Sequence, residues 1–430
     1  MKIVHTKHAV IQEPLLSPFG FKGAYLSEIW QSIALLRGES GAEGMGVGVQ
    51  SVLWSDARVF ARFKEAEGNE LMANMTRRAL EMSVGQSFET PFELLDVLLP
   101  DVFEFGRRES GFSDLRATFA LNALVTVDQA AWSLYRRETG RRFDELVPEQ
   151  YRSALTAKHK QLGSIPLISY GLSENDIAQV LDEGYFLLKI KIGADPDKDG
   201  DQEKMLEWDK QRLAQIHRIA SRYSTEYTVN GKIAYYLDAN GRYGSKDTVK
   251  RLLDYADKIG ALDRIVLFEE PFAEEDKTDI SDLPVRFAAD ESVHSEKDAL
   301  ERIELGYGAM ALKPVAKTMS LSLKIAKLAA ERSVPCFCAD LTVNPLLVDW
   351  NKNLAARLAP LPELKVGVLE TNGHQNYRNW NAMIQAHPLA GAEWIIPSRG
   401  IFELSERFYE TDGGALDISP VYKAALDQGE

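Results

Sequence analysis

The chain has 430 residues, 45% hydrophobic and 27% charged, with a formal net charge of −14. This is the composition of a folded globular protein, and the length exceeds one ordinary core, so two or three domains, or a barrel with a smaller partner, are expected. The acidic balance argues against a nucleic-acid partner, whose phosphates need a basic surface, but leaves room for a small acidic substrate in a local cationic pocket.

Residues 1 to about 60 are predicted to form strands and turns. Residues 3–12 alternate partly, and residues 13–24, rich in Pro, Gly and aromatics, are expected to form a loop. The N-terminus carries no apolar signal-peptide core. Residues 44–54 are predicted to be a strand. Their Gly-x-Gly-x-Gly precedes no obvious helix, which favours a glycine-rich hairpin over a nucleotide loop. From Ser55 to about Leu162 the pattern is helical, with apolar residues at helix spacing over 71–82 and 117–135.

From Ser164 short apolar runs alternate with helix-length connections. The runs are 165–169, 185–192, 234–238, 264–269, 285–290, 309–313, 334–338 and 365–370. Eight such units predict a (β/α)8 TIM-type barrel over residues 161–394. Residues 395–430 turn strand-like and loop-like and are expected to pack back on the N-terminal region, 1–160. Cys336 and Cys338, the only cysteines, lie in one apolar run without further zinc ligands nearby, and read as core. No run of about 18 apolar residues predicts a membrane span. With two cysteines in a chain this size, the cytoplasm is the default location.

The chemistry-bearing residues fall at run ends, where a barrel of this type has its active site. Lys189 and Lys191 close the second run and share a strand face, so each ammonium is expected to make the other harder to protonate. Asp238 and Asn240 follow the third run, Glu269 and Glu270 the fourth, and Asp290 and Glu291 the fifth. Lys313 ends the sixth, Asp340 the seventh, and Glu370 and Asn372 the eighth. Three carboxylates on adjacent strands make a hard oxygen site suited to Mg²⁺. A lysine on either side of a metal-held carboxylate suits removal of its α-proton, with the charge stabilised as an enediolate. The opposite lysine then returns a proton to the other face.

These motifs resemble the enolase superfamily in its muconate-lactonising subgroup (the mandelate racemase/muconate lactonising enzyme family). The motifs are Lys189-Ile-Lys191, Asp238-Ala-Asn240, Glu269-Glu-Pro271, Asp290-Glu-Ser292 and Leu312-Lys-Pro314. In that superfamily a lysine base works with Mg²⁺, which stabilises the ene-diolate. The resemblance implies Asp238, Glu269 and Asp290 as Mg²⁺ ligands. It implies Lys191 and Lys313 as the acid/base pair and Lys189 as a supporting cation. It also implies an α+β capping domain with residues 14–25 as a lid, and a homo-oligomer. Asn240, Glu270, Glu291, Asp340, Glu370 and Asn372 are expected beside the ligands or near the substrate.

The substrate implied is a small carboxylate, and the reaction most in keeping is racemisation or epimerisation of a dipeptide or N-substituted amino acid. Cycloisomerisation, elimination of the o-succinylbenzoate-synthase type, and a catalytically silent barrel used for binding are the alternatives. Three departures stand out. Residues 195–208 lengthen the link to the third run, Met319 and Ser320 replace a glycine pair, and the eighth run ends in Glu370-Thr-Asn372 where Ala-Glu-type dipeptide epimerases carry Asp-x-Asp. Taken singly, each motif also has a plain reading. The lysines suit an edge strand, Asp238-Ala-Asn240-Gly a turn, Glu269-Glu-Pro271 a strand end, and Asp290-Glu-Ser292 a helix cap. Lys313 suits a surface site. His294, His374, Arg107 and Arg108 are read as bystanders.

Overall fold

The computed structural model describes residues 1–21 and 24–428. Strands β1 (Ile3–Phe21), β2 (Ala24–Gly38) and β3 (Glu43–Gln50) form an antiparallel sheet in that order. The loop expected at residues 13–24 is instead the far end of the β1–β2 hairpin, apart from Lys22 and Gly23, which lie outside the described residues. The register shifts between Pro14 and Phe19, so the two prolines that cannot donate to a ladder fall in the irregular stretch.

Gly44, Gly46 and Gly48 on β3 face the helix Ala117–Thr139. A Cβ on Gly46 would stand 2.0 Å from the carbonyl oxygen of Thr126, and one on Gly44 2.2 Å from the nitrogen of Leu134. The glycines therefore allow the helix to lie directly on the strand. β3 ends at Gln50, four residues short of the expected end, because Asn122 Oδ1 accepts from the Ser51 N–H and a single helical turn, Val52–Ser55, begins there.

The barrel strands are β4 (Gln161–Ile165), β5 (Leu167–Ile168), β6 (Leu187–Lys191), β7 (Ala234–Asp238), β8 (Ile265–Glu269), β9 (Phe287–Ala289), β10 (Ala309–Leu312), β11 (Cys336–Cys338) and β12 (Gly367–Glu370). Apart from the β4–β5 junction, neighbours pair in parallel in that order. β4 and β5 are one strand interrupted at Pro166. β4 pairs with β12 and β5 with β6, which closes an eight-stranded ring. The first strand thus begins four residues earlier than expected. Cys336 and Cys338 are free and buried in β11. Inside the ring, Tyr236 and Phe337 meet edge to face at 5.3 Å.

The C-terminal segment corrects a second expectation. It contains one short strand, β13 (Ile401–Glu403), antiparallel to β4, and otherwise helices Glu406–Thr411 and Pro420–Gln428. The helix Ala117–Thr139 binds this segment, with Ser133 Oγ donating to Leu416 O at 2.8 Å and Gln129 Nε2 to Ala415 O at 3.3 Å. No helix among the described residues is long and apolar enough to cross a membrane.

Asp128, in the middle of that helix, docks the start of helix Met319–Glu331. Its Oδ2 accepts from Met319 N at 2.9 Å and Ser320 N at 3.3 Å, and its Oδ1 accepts from Ser320 Oγ at 2.5 Å. The glycine-pair departure therefore has a structural use, since the serine hydroxyl ties barrel to helix. Burial outweighs these bonds and pushes the Asp128 carboxyl up to about 7. A raised carboxyl favours the folded state below the unfolded pKa of about 3.9, and that contribution is lost as pH rises through about 7. Asp128→Asn is expected to flatten the decline in unfolding free energy between about pH 4 and 7, by at most about 1.4 kcal/mol per pH unit, as read by urea unfolding across that range.

Candidate active site

The strand register sets the site. Lys191 pairs with Asp238, and Asp238 with Glu269, so the ends of β6, β7 and β8 stand level. β10, which ends just before Lys313, is four strands from β6 in a ring of eight, on the opposite side of the mouth. One cavity is lined by Lys189, Lys191, Asp238, Asn240, Glu269, Asp290, Lys313, Asp340, Glu370 and Asn372. Glu270 and Glu291 lie behind it, along a neighbouring cavity that shares Asn240.

Lys189 is 3% exposed and sits at the centre of the acids. Its Nζ lies 3.0 Å from Asp238 Oδ2, 3.3 Å from Glu269 Oε2 and 3.0 Å from Glu370 Oε2, with the Tyr236 ring centroid at 4.7 Å. The expected mutual depression of the two lysines does not hold for this one. Burial opposes its charge, but Asp238, Glu269 and Glu370 outweigh burial and hold its pKa well above the ordinary lysine value. Lys191 Nζ donates to Asp238 Oδ2 at 2.6 Å and to Asn240 Oδ1 at 2.5 Å. Burial opposes ionisation of Asp238, yet Lys189 and Lys191 draw it down to about 2.

Asn240 adopts φ +45° and is followed by Gly241 at +74°. This turn aims the Asn240 amide both ways, Oδ1 to Lys191 and Nδ2 to Glu291 Oε1 at 2.9 Å. Turn chemistry and site chemistry therefore coexist at Asp238-Ala-Asn240.

On the opposite side, Lys313 Nζ donates to Asp290 Oδ2. Burial disfavours the Lys313 charge, but Asp290, Glu291 and Glu269 raise its pKa above the usual value. Lys317, one turn later, donates to the Asp290 carbonyl and lies 3.2 Å from Asp290 Oδ1. Sequence reasoning missed Lys317. Pro314 at the first turn of a helix was the available signal, since i and i+4 then share a face. It also missed Trp54, Leu26 and Ile29, which the N-terminal region contributes to the cavity beside Leu167 and Leu341.

Glu270 clamps two strands. Its Oε1 accepts from Asp290 N at 2.7 Å, Ser292 N at 3.0 Å and Ser292 Oγ at 2.5 Å, and burial with Glu291 nearby pushes it up to about 7. Asp290-Glu-Ser292 is not a helix cap, because Ser295 caps the next helix. Asp340 Oδ2 accepts from Asn372 N at 2.7 Å, and Glu370 Oε2 accepts from Asp340 N at 3.1 Å, tying β11 to β12. Burial, then Glu370, raises Asp340 to about 7. Asp340 Oδ1 and Asn372 Oδ1 are buried without a hydrogen-bond partner. His294 pairs with Glu274 and Asp298, His374 packs on Trp380, and Arg107 bonds the Ser113 carbonyl at the surface.

Glu269, Asp290 and Glu291 offer carboxylate oxygens within 4.8 Å of one another, the one such group among the described residues. Burial is the chief force pushing Glu269 up to about 8, and Asp290 and Glu291 add to it against the pull of Lys189. Three buried hard oxygen donors this close together fit a divalent cation. Glu291, expected beside the ligands, thus joins two of the three expected ligands. Asp238 reaches Glu269 through the shared ammonium of Lys189.

Residues 174–389, just over half of the chain, match the enolase C-terminal domain-like family. No curated protein matches in sequence. Solved structures share the fold. A mandelate racemase/muconate lactonizing protein from Herpetosiphon aurantiacus is 17% identical, with a TM-score of 0.66 over 94% of this chain and 96% of that one. The L-Ala-D/L-Glu epimerase from Bacillus subtilis is 18% identical, with a TM-score of 0.62 over 89% and 91%. A dipeptide epimerase from Enterococcus faecalis V583, complexed with Mg and the dipeptide L-Leu-L-Tyr, is 17% identical, with a TM-score of 0.64 over 94% and 98%.

Proposed function

The chain belongs to the enolase superfamily of enzymes, and from that premise we propose that it is a Mg²⁺-dependent racemase or epimerase of its muconate-lactonising subgroup. It removes the proton α to a substrate carboxylate and returns one to the opposite face. The observation that carries this reading is the pair Lys191 and Lys313, on opposite strands of one ring with the acidic group between them.

Asp238, Glu269 and Asp290 are the residues we assign to Mg²⁺, with Glu291 adjoining. Bound there, the ion supplies fixed positive charge to the substrate carboxylate as negative charge develops beside the α-carbon. The remaining work belongs to the chain. For one hand Lys191, as the neutral amine oriented by the Asn240 amide, takes the α-proton at Nζ while the Lys313 ammonium gives one to the opposite face, and for the other hand the two exchange roles. Lys189 holds Asp238, Glu269 and Glu370 together as a buried cation. Leu26, Ile29, Trp54, Leu167 and Leu341 exclude water around the reacting carbon.

The unpartnered oxygens of Asp340 and Asn372 favour a substrate carrying an N–H donor, because a buried acceptor left unpaired is costly. This supports a dipeptide or N-substituted amino acid. The Enterococcus faecalis neighbour, with its Mg and dipeptide, is in keeping with that class. Cycloisomerisation or elimination shares the first half-reaction and is the second reading. Chiral chromatography with mass analysis of products separates them. An epimer of unchanged mass and skeleton is expected, and a lactone or a dehydrated product would establish the second reading instead.

A further inference from the structure

Lys313 Nζ meets two groups, the Asp290 carboxylate and the indole of Trp54, whose ring centroid lies 4.5 Å away. Lys317 Nζ lies 5.8 Å from the same ring. A cation over an indole face within about 6 Å is attracted by the ring quadrupole, more strongly when desolvated. Trp54 is 6% exposed and Lys313 3%. Lys191 has a different setting, with the Asn240 amide beside it and a side chain 11% exposed.

One helix fixes both partners. Near the start of Ala117–Thr139, Asn122 Oδ1 accepts from Ser51 N at 2.9 Å and Ser55 Oγ at 3.3 Å, and Thr118 Oγ1 donates to Ser55 O at 2.6 Å. These bonds clamp the turn that carries Trp54. Further along, Asp128 holds Met319 and Ser320, and Trp132 Nε1 donates to Ser320 Oγ at 3.0 Å. These bonds clamp the segment just after Lys313 and Lys317. The indole and the ammonium are therefore placed by a common strut, not by a chance contact of two loops.

We infer that Trp54 is a positioning residue for Lys313, holding its ammonium at one face of the substrate so that loss of the indole impairs proton transfer on that face alone. The inference rests on the two-lysine reading above.

Two measurements test it. In protein labelled with ¹³C-lysine, the Lys313 ε-methylene signal, assigned by its loss in Lys313→Arg, is expected upfield because of the indole ring current. Trp54→Leu removes that shift, and Trp54→Phe keeps part of it. A Lys313 signal that is unshifted, or indifferent to Trp54→Leu, overturns the contact. The second measurement follows α-exchange of L-Ala-L-Leu and L-Ala-D-Leu separately in D₂O with Mg²⁺. In Trp54→Leu, the hand whose exchange Lys313→Ala abolishes is expected to slow about 10- to 100-fold, and the other hand by less than about twofold. Trp54→Phe stays near the native rate. Equal loss from both hands, or loss from neither, overturns the role of Trp54. Failure of the native enzyme to exchange either dipeptide counts against the dipeptide reading, and the lysine spectrum then decides the Trp54 contact by itself.

Discussion

Lys313→Ala is expected to lower α-proton exchange from one hand of the substrate by about 10²- to 10⁴-fold, the range for loss of a positioned general acid or base. Lys191→Ala is expected to do the same to the other hand. The asymmetry follows from the ring. Lys191 ends β6, and Lys313 follows β10, so the two stand on opposite sides of the ring, and in the proposed reaction each serves one face of the substrate. Racemisation needs both lysines and fails in either variant, whereas exchange without inversion survives on the hand whose base remains. NMR of each hand incubated separately in D₂O reads the difference. Loss of both hands in one variant would mean that the two lysines do not act as separate bases.

Asp290→Asn carries the second large effect, on stability and on metal binding together. The Asp290 carboxylate is the partner of two buried ammoniums, Lys313 on Oδ2 and Lys317 on Oδ1. Burial opposes its ionisation, yet these two lysines hold its pKa well below the usual carboxylate range. An amide leaves both cations without their anion. Breaking a buried pair on one side costs about 3–5 kcal/mol, which urea unfolding of the metal-free protein reads directly. The same change removes one of the proposed Mg²⁺ ligands, so Mg²⁺ titration by calorimetry is expected to lose its binding isotherm. Glu291→Gln divides the ligand assignment further. A large loss of Mg²⁺ affinity makes Glu291 a ligand beside Glu269 and Asp290, and near-native affinity with loss in Asp238→Asn returns it to the role of partner for Asn240.

The barrel was legible because each βα unit repeats one pattern, and because strand-end residues of a parallel ring must share one face. Lys191, Asp238, Glu269, Asp290 and Lys313 could be read in order for that reason, without knowing any distance between them. Their pairing was not legible. That Lys189 bridges three carboxylates, or that Glu291 turns toward Glu269 and Asp290, depends on side-chain directions set by neighbours far off in sequence. Lys317 and Trp54 were missed for a related reason. Neither sits at a strand end: Trp54 lies on a helical turn held by Asn122, and Lys317 just before the segment held by Asp128, both on the helix Ala117–Thr139. The glycines at 44, 46 and 48 do lie on a hairpin strand, paired with β2, and they also form a seat for that same helix, which the sequence pattern did not reveal. The far end of the β1–β2 hairpin was hidden by its prolines, which weaken a strand pattern locally although the register resumes beyond them. The C-terminal segment looked irregular because its helices are only six and nine residues long, too short for a clear 3.6-residue period.

Two-base chemistry at this barrel mouth is tested most directly by α-deuterium incorporation. A set of dipeptides and N-acyl amino acids is incubated with the protein and Mg²⁺ in D₂O, and each recovered compound is analysed by mass and by chiral chromatography. At least one carboxylate is expected to gain a single deuterium at its α-carbon and to appear as both hands, with Lys191→Ala and Lys313→Ala each abolishing the inversion. Exchange that proceeds undiminished in both lysine variants, or no α-deuterium in any carboxylate with Mg²⁺ present, would contradict two-base proton transfer between Lys191 and Lys313.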